Sequence, residues 1–268
     1  MFGRRSDGML VRDLPKLRRF MPFVSPRRNE SLFYYSHEIE VDAALRFLEE
    51  QNKARPAGRQ ITLFHLYLRS VALGTHSNPD INRFFAGGRM YLRHGVWLTF
   101  SAMRELQKGS YLITVKRDFP AGEGLHAMVD RVLDSLVSRR KGQKTQADKE
   151  IDFALLLPPP VIRFGMRLLN WADALGLLPK SMIDDDPLFT SLFVANMGSL
   201  GMETGYHHLW EYGTCSGFCV MGRIRQRPDG SRYVVCNYTW DERVADGLAT
   251  SFALSEWKER LENPEKLL

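Results

Sequence analysis

A seven-residue segment near the carboxyl end, Asp-Glu-Arg-Val-Ala-Asp-Gly at 241–247, constrains the fold more than any other part of this 268-residue chain. It follows Tyr233–Thr239, a stretch rich in β-branched and aromatic residues that predicts a strand. A helix pattern then runs over residues 246–262 and ends before Pro264. Gly247 opens that helix, where the backbone has to pass closely, and glycine permits such an approach. The segment therefore predicts a strand, a compact turn and a terminal helix.

The rest of the chain alternates between strand and helix patterns, which indicates an α/β layout. Residues Leu32–Val41 have the composition of a strand, and a helix over 42–51, capped by Asp42, follows. A helix at Ile61–Gly74 opens at Thr62, is apolar on most of its circumference and should be buried. Further predictions are strands at Met90–Arg93, Val96–Met103, Tyr111–Val115, Phe189–Asn196 and Gly217–Arg225, a helix at Gly124–Lys141, a polar loop at Lys141–Glu150 and a hairpin turn at Pro228–Gly230.

Three more segments carry a recognisable pattern. Residues 192–201 read Leu-Phe-Val-Ala-Asn-Met-Gly-Ser-Leu-Gly, Pro79–Phe84 follows a long helix, and residues 26–34 are rich in arginine. With residues 241–247, these segments resemble the 2-oxo acid dehydrogenase acyltransferase family, which shares its fold with chloramphenicol acetyltransferase. The resemblance is to stand-alone bacterial members, and it implies a two-layer α/β (α+β) sandwich in which helices flank a mixed β-sheet.

The same resemblance shows that two chemical groups are replaced. In the family signature, Asp-His-Arg-x-x-Asp-Gly, the histidine is the general base for acyl transfer between thiols, and Glu242 occupies its position. The family serine that stabilises the oxyanion falls at Ala195, which has no donor. A general base contributes ~10²–10⁴ in rate, and an oxyanion donor ~10²–10³. The resemblance therefore implies a CoA-dependent acyltransferase fold whose activity is weak, altered or lost.

The last two residues of the signature, Asp246 and Gly247, are retained. By resemblance, Asp246 orients its loop and pairs with an arginine near the amino terminus, here Arg27 or else Arg28. Gly247 then opens the last helix. A non-catalytic or chemically altered relative would keep these residues.

Other candidate site residues lie in and after the 192–201 segment. Asn196 and Ser199 are expected at the substrate beside the alanine that replaces the serine. In the functional interpretation of the His207-His208 pair, His208 shares the proton transfer with Glu242 and His207 lies at the substrate. In the alternative, which the sequence favours, both histidines are satisfied by backbone groups in the core or at an interface.

Two classes of function follow. The first is a CoA-linked acyltransferase with altered machinery, which takes CoA or acyl-CoA as substrate and has no covalently bound cofactor. The second is a non-catalytic homotrimer, or a shell built from trimers, that binds acyl-CoA or a partner protein. Both imply a homotrimer or a multiple of three. Cys215, Cys219 and Cys236 show no metal-ligand spacing, so we expect reduced thiols and no metal.

Charge and hydropathy bound the partners and the location. The formal net charge is +6, and basic residues crowd the amino-terminal extension over 1–19. We favour a solvated or structural role as the explanation of this charge. Attraction of CoA phosphates is the second explanation, and nucleic-acid binding is the last. No stretch approaches the ~20 apolar residues of a membrane span, and no secretory signal pattern is present. We expect a cytoplasmic protein.

One stretch departs from the acyltransferase cores that the chain resembles. Residues 151–183 read as an apolar helical insertion, with a helix over Val161–Leu178 after three prolines. It has four interpretations: packing on its own domain, a membrane surface, the roof of a channel, or contact with another protein or subunit, which we favour among the functional ones. We expect one catalytic-type domain over 1–268, without a lipoyl or subunit-binding domain.

Overall fold

The computed structural model describes residues 5–103 and 112–268 of the chain. Within those residues the chain forms nine strands and eight α-helices. The strands are β1 (Gly8–Leu10), β2 (Leu32–Glu40), β3 (Arg83–Ala86), β4 (Arg89–Arg93), β5 (Trp97–Met103), β6 (Leu112–Asp118), β7 (Leu192–Asn196), β8 (Gly217–Gln226) and β9 (Arg232–Asp241). The helices are α1 (Lys16–Val24), α2 (Asp42–Asn52), α3 (Leu63–Ser77), α4 (Leu125–Arg140), α5 (Gln146–Ala154), α6 (Pro159–Leu175), α7 (Lys180–Asp185) and α8 (Gly247–Glu262).

Six strands form one mixed sheet in the order β2-β9-β8-β7-β5-β6, and β1, β4 and β3 form a small antiparallel sheet. In the large sheet, β7 runs parallel to both β5 and β8, while the other neighbours are antiparallel. Parallel neighbours require long connections, and α4 to α7 lie between β6 and β7 in the chain. The predicted fold class, a mixed β-sheet flanked by helices, is confirmed.

The two faces of the large sheet have different coverings. Because side chains alternate along a strand, Val194, Cys219 and Tyr238 face the main core, which contains residues of α2, α3, α4 and α8. Phe193 and Phe218 belong to a second, smaller cluster on the opposite face. There the segment that joins β7 to β8, rather than a helix layer, packs against the sheet. That face contains the candidate site described below.

Local structure corrects two of the predicted element boundaries. Asp42 is the first residue of α2 and not its cap: its carboxylate accepts hydrogen bonds from the backbone N and Nε of Arg232. Part of the predicted loop over 141–150 is helical, since Thr145 caps α5. Thr62 caps α3 as predicted. Tyr111, the predicted first residue of β6, lies outside the described residues.

The amino-terminal stretch and the predicted insertion contact each other. The stretch contains β1, and Arg5 within it is buried. The guanidinium of Arg5 forms ion pairs with Asp7, at 2.8 Å, and with Asp173 of α6, at 2.7 Å. One side of α6 therefore packs on the same chain. A second side is apolar and exposed, with the three- and four-residue spacing of one helix stripe; its residues are Val161, Phe164, Leu168 and Trp171.

Two further sequence expectations concern thiols and membranes. All three cysteines are free and buried, and burial raises the pKa of each thiol, to about 12 for Cys236. Deprotonation of these thiols is therefore suppressed at neutral pH.

Over the described ranges, every helix is too short or too polar to traverse a lipid bilayer.

Acid should destabilise the cap of α3. His65 is buried, and its Nδ1 accepts a hydrogen bond from the backbone N of Thr62 at 3.1 Å, so the ring is neutral there. Burial lowers the pKa of His65 from 6.5 to about 4. Between those values the unfolded chain binds the extra proton, so stability falls as the pH drops through this window. Between pH 7 and pH 5, the free energy of unfolding should fall by about 2 kcal/mol more in the unaltered protein than in His65→Gln, which keeps an acceptor at the cap. Urea unfolding at the two pH values measures this difference. Equal losses in both proteins would contradict the assignment.

Candidate functional site

A cavity of about 230 Å³ lies at the carboxyl end of β7, on the sheet face away from the main helix layer. Four of the residues singled out by the sequence line it: Ala195, Asn196, Ser199 and His207. Aromatic side chains form much of the remaining wall, and they are Phe193, Trp210 and Phe218. The structure thus brings the predicted substrate-side residues together around one mostly apolar space.

Stacking fixes the orientation of the His207 ring. It stacks on Phe218, with ring centroids 4.2 Å apart and an interplanar angle of 15°, and on His208, at 4.5 Å and 22°. Phe218 in turn stacks on Phe193 at 4.9 Å. The imidazole therefore continues a column of flat rings that begins on β7 and β8.

One hydrogen bond assigns the tautomer of that imidazole. The Nδ1 atom of His207 lies 2.7 Å from the carbonyl oxygen of His208. A carbonyl oxygen only accepts, so Nδ1 is the donor and carries the hydrogen. In the neutral ring, Nε2 then keeps the lone pair. His207 has the tautomer that a general base needs, whereas His208 is exposed and is not part of the cavity wall.

The turn after β7 is held by its own polar groups. The Ser199 hydroxyl donates to the backbone carbonyl of Asn196 at 2.8 Å, and the Asn196 side-chain oxygen accepts from the Ser199 backbone N at 3.1 Å. Met197 N also donates to Met221 O of β8 at 2.9 Å. These bonds shape the rim of the cavity, beside which Ala195 offers only a methyl group.

Glu242 lies elsewhere in the chain. Ala195 pairs with Val220, and Val220 pairs with Asn237. Glu242 comes five residues after Asn237, so it lies roughly 17 Å away along the strand direction at ~3.3 Å per residue. It is exposed, its backbone N donates to Ser31 O at 2.9 Å, and it does not line the cavity. Within one chain, Glu242 and the Ala195 region cannot act on the same bond.

The predicted partner of Asp246 was wrong. Its carboxylate pairs with Arg18 of α1 at 3.0 Å. Arg27 is exposed and lies 3.8 Å from Glu30 instead. The sequence missed the true partner because no helix was predicted where α1 occurs. Asp246 also caps α8 by accepting a hydrogen bond from Ala249 N at 2.9 Å, and Gly247 is the first residue of that helix. The expected close backbone approach at Gly247 was wrong, because a Cβ there would meet no atom within 4 Å.

Arg28, the other predicted partner of Asp246, points inward. It takes part in a buried ionic network that the sequence did not predict. Asp241 accepts two side-chain bonds from Arg243, Nε to Oδ1 at 2.9 Å and Nη2 to Oδ2 at 2.8 Å. Arg28 Nε lies 3.7 Å from the same carboxylate, and Nη2 donates to Gly213 O at 3.0 Å. Arg243 also donates to Pro26 O at 3.0 Å. The network joins the end of β9 to the chain before β2 and to the segment before β8.

Asp246→Ala should destabilise the protein more than Glu242→Ala. The alanine removes the cap of α8, which costs about 1 kcal/mol, and it removes a partly exposed ion pair of smaller value. Glu242 is exposed and its described contacts are made by backbone atoms, so its replacement should change the free energy of unfolding by less than ~0.5 kcal/mol. Urea unfolding measures both variants. Asp246→Asn is the control, because it keeps the cap acceptor; a loss as large as that of the alanine variant would contradict the capping role.

A larger cavity, of about 390 Å³, lies between β6, α4 and α5. Its charged groups are largely engaged: Arg139 pairs with Asp148, and Lys116 Nζ donates to Ile183 O at 2.5 Å. Burial lowers the pKa of Lys116 to about 7. Since none of the candidate site residues lines this space, we assign the chemistry to the smaller cavity.

The mixed sheet, its helix layer and the cavity at the end of β7 define the class: the chain has the fold shared by 2-oxo acid dehydrogenase acyltransferase cores and chloramphenicol acetyltransferase. Comparison of the sequence with models of known families and with curated proteins finds no match.

Solved structures supply the particular relatives. The chain is similar to a probable dihydrolipoamide acetyltransferase from Listeria monocytogenes 4b F2365, with 13% identity, coverage of 94% of both chains and a TM-score of 0.61. It is similar to the cubic core of a pyruvate dehydrogenase multienzyme complex, with 12% identity, 97% of this chain and 94% of that chain covered, and a TM-score of 0.62. It is also similar to a chloramphenicol acetyltransferase, with 13% identity, 95% and 99% covered, and a TM-score of 0.55. At these identities the likeness is one of fold.

Proposed function

We propose that this protein is a CoA-dependent acyltransferase with altered machinery, and that the acyl group of a thioester such as acetyl-CoA enters the cavity at the end of β7. One observation carries the proposal: in an acyltransferase fold, Ala195, Asn196, Ser199 and His207 line one cavity. The machinery is altered because Glu242 and Ala195, at the family's histidine and serine positions, lack the usual groups.

The size of the cavity limits what it holds. Sites for drug-sized ligands measure ~300–1,000 Å³, so about 230 Å³ accommodates a short acyl group and the end of the thiol arm rather than a whole CoA molecule. Aromatic and aliphatic walls suit an acyl chain. The nucleotide part of CoA would then lie outside the cavity, where the net charge of +6 favours its phosphates.

Assembly into a homotrimer, or a multiple of three, is part of the proposal. The fold is shared with the cubic core of a multienzyme complex, which is itself an assembly. In this chain, Glu242 reaches such a cavity only if a second copy presents it, because the sheet register separates the two within one chain. The exposed stripe on α6 supports a contact with another subunit or partner protein through residues 151–183.

The alternative function is a non-catalytic scaffold or shell that binds acyl-CoA or a partner protein. It is favoured by the replacement of both reactive groups, which the resemblance implies and which weakens the usual chemistry. Measurements of mass in solution and of acetyl-CoA binding separate the two functions. The scaffold predicts a large assembly that performs no acyl transfer.

The test uses the purified 268-residue chain. Light scattering gives the mass, calorimetric titration gives acetyl-CoA binding, and release of free CoA in the presence of a small dithiol gives transfer. We expect a multiple of three chains, saturable binding and dithiol-dependent transfer. A monomer at micromolar concentration that neither binds nor consumes acetyl-CoA would refute the proposal.

A further inference from the structure

Ser101 lies on the strand next to the alanine that replaces the family serine. The register of β5 with β7 pairs Phe100 with Val194. One residue further along both strands brings Ser101 beside Ala195, on neighbours ~4.8 Å apart. Both residues line the same cavity. The hydroxyl group absent at position 195 is therefore present one strand away, on the same face of the sheet.

The Ser101 hydroxyl is also available. Its Oγ is buried and has no hydrogen-bond partner in the part of the chain that the structure describes. Buried hydroxyls are normally paired, so an unpaired one at a cavity wall is positioned to donate to a bound acceptor. The other serine at this cavity, Ser199, instead donates to Asn196 O at 2.8 Å.

His207 provides the second group. Nδ1 donates to His208 O, so Nε2 carries the lone pair of the neutral ring, and stacking on Phe218 and His208 fixes the ring. No other histidine lines this cavity among the described residues. Ser101 and His207 thus bring a hydroxyl donor and an imidazole to one space.

We propose that Ser101 and His207 perform the acyl transfer in this protein: Ser101 donates a hydrogen bond to the oxyanion, and His207 is the general base. The inference rests on the proposed function, since it assigns residues to the reaction proposed there. It moves both catalytic groups away from the positions that the resemblance implies, Ala195 and Glu242.

The reaction is balanced without a further reactant. His207 Nε2 takes the proton of the acceptor thiol, and the thiolate sulfur forms a bond to the acyl carbon. The carbonyl π electrons move to oxygen, where the Ser101 hydroxyl donates to the oxyanion. On collapse the carbonyl bond reforms, the bond from the acyl carbon to the CoA sulfur breaks, and the CoA thiolate takes the proton from His207. The products are the acylated acceptor and free CoA.

Single replacements test each role. Ser101→Ala should lower kcat by about 10²-fold, and His207→Gln by about 10²–10⁴-fold, with KM for acetyl-CoA changed much less because the cavity wall remains. Added imidazole should partly restore His207→Gln. The matched controls, Ser251→Ala and His126→Gln, replace an exposed serine and an exposed histidine and should keep full activity.

A double replacement guards against an effect of misfolding. Ser101→Ala combined with Ala195→Ser moves the hydroxyl to the adjacent strand and should recover part of the lost rate. If both single variants keep the full rate while the unaltered protein transfers acyl groups, the inference is wrong and the proposed function stands. A hundredfold loss in Glu242→Gln with full activity in His207→Gln also overturns it. If the unaltered protein neither binds nor consumes acetyl-CoA, the proposed function fails and the inference fails with it.

Discussion

Asp241→Ala should lower the free energy of unfolding by about 3–5 kcal/mol, because breaking a buried ion pair leaves its partner charge uncompensated. The carboxylate is 1% exposed and accepts two hydrogen bonds from the Arg243 side chain and one from its backbone N. Arg28 loses its counter-ion as well: burial lowers the pKa of this guanidinium, and Asp241 opposes that effect. Two buried arginines would remain without a carboxylate between them.

Urea or thermal unfolding measures this loss. Asp241→Asn should cost less than the alanine variant, since the amide oxygen still accepts one bond from Arg243. Asp246→Ala is a second reference, because it removes an exposed carboxylate of the same motif and should cost about 1 kcal/mol. A loss at position 241 no larger than that at position 246 would show that the buried network adds little to stability.

Gly198→Ala should cost about 2–3 kcal/mol and should weaken acetyl-CoA binding, since added volume in a packed site strains its surroundings. A Cβ at this position would meet the backbone of Gly222, whose carbonyl carbon would be 2.8 Å away, and the Arg223 Cα, at 3.0 Å. These atoms belong to an irregularity in β8, where the register shifts between Met221 and Ile224. Backbone cannot rotate aside as a side chain can, so the turn at the rim of the cavity would have to move.

Gly205→Ala is the matched control for this change. Its Cβ would have no neighbouring atom within 4 Å, so the variant should keep the stability and acetyl-CoA binding of the unaltered protein. Calorimetric titration and thermal unfolding of the two variants together give the comparison. Equal behaviour would mean that the close approach of the turn to β8 does not shape the site.

Local patterns predicted the elements of this fold well. Thr62 at the start of an apolar helix and the Pro228–Gly230 turn between two strands each carry their signal within a few residues. The 192–201 segment likewise supplied one wall of the cavity, and His207, for which the sequence favoured a backbone-satisfied role, also lines it. These predictions depend on short-range chemistry, which a single sequence displays directly.

Long-range pairing could not be predicted in the same way. Ser101 was placed within a strand, but nothing near it in the sequence shows that the strand pairs with β7. Arg18 likewise became a partner of Asp246 only through the docking of α1, a helix that the basic composition concealed. The carboxylate of Asp241 belongs to the motif itself, yet its two arginine partners are revealed only by the fold.

The order of strands in the large sheet has a consequence for synthesis of the chain. β2 lies at the edge of that sheet, and its partner there, β9, is the last strand to be made, with Leu32 opposite Asp241. Ribosomes add ~5–20 residues per second, so β2 waits roughly 10–40 s after its own synthesis with its hydrogen-bonding edge uncovered. An uncovered edge readily pairs with other chains. We therefore expect a nascent or carboxyl-truncated chain that ends before residue 232 to expose this edge and to aggregate more readily than the 268-residue chain.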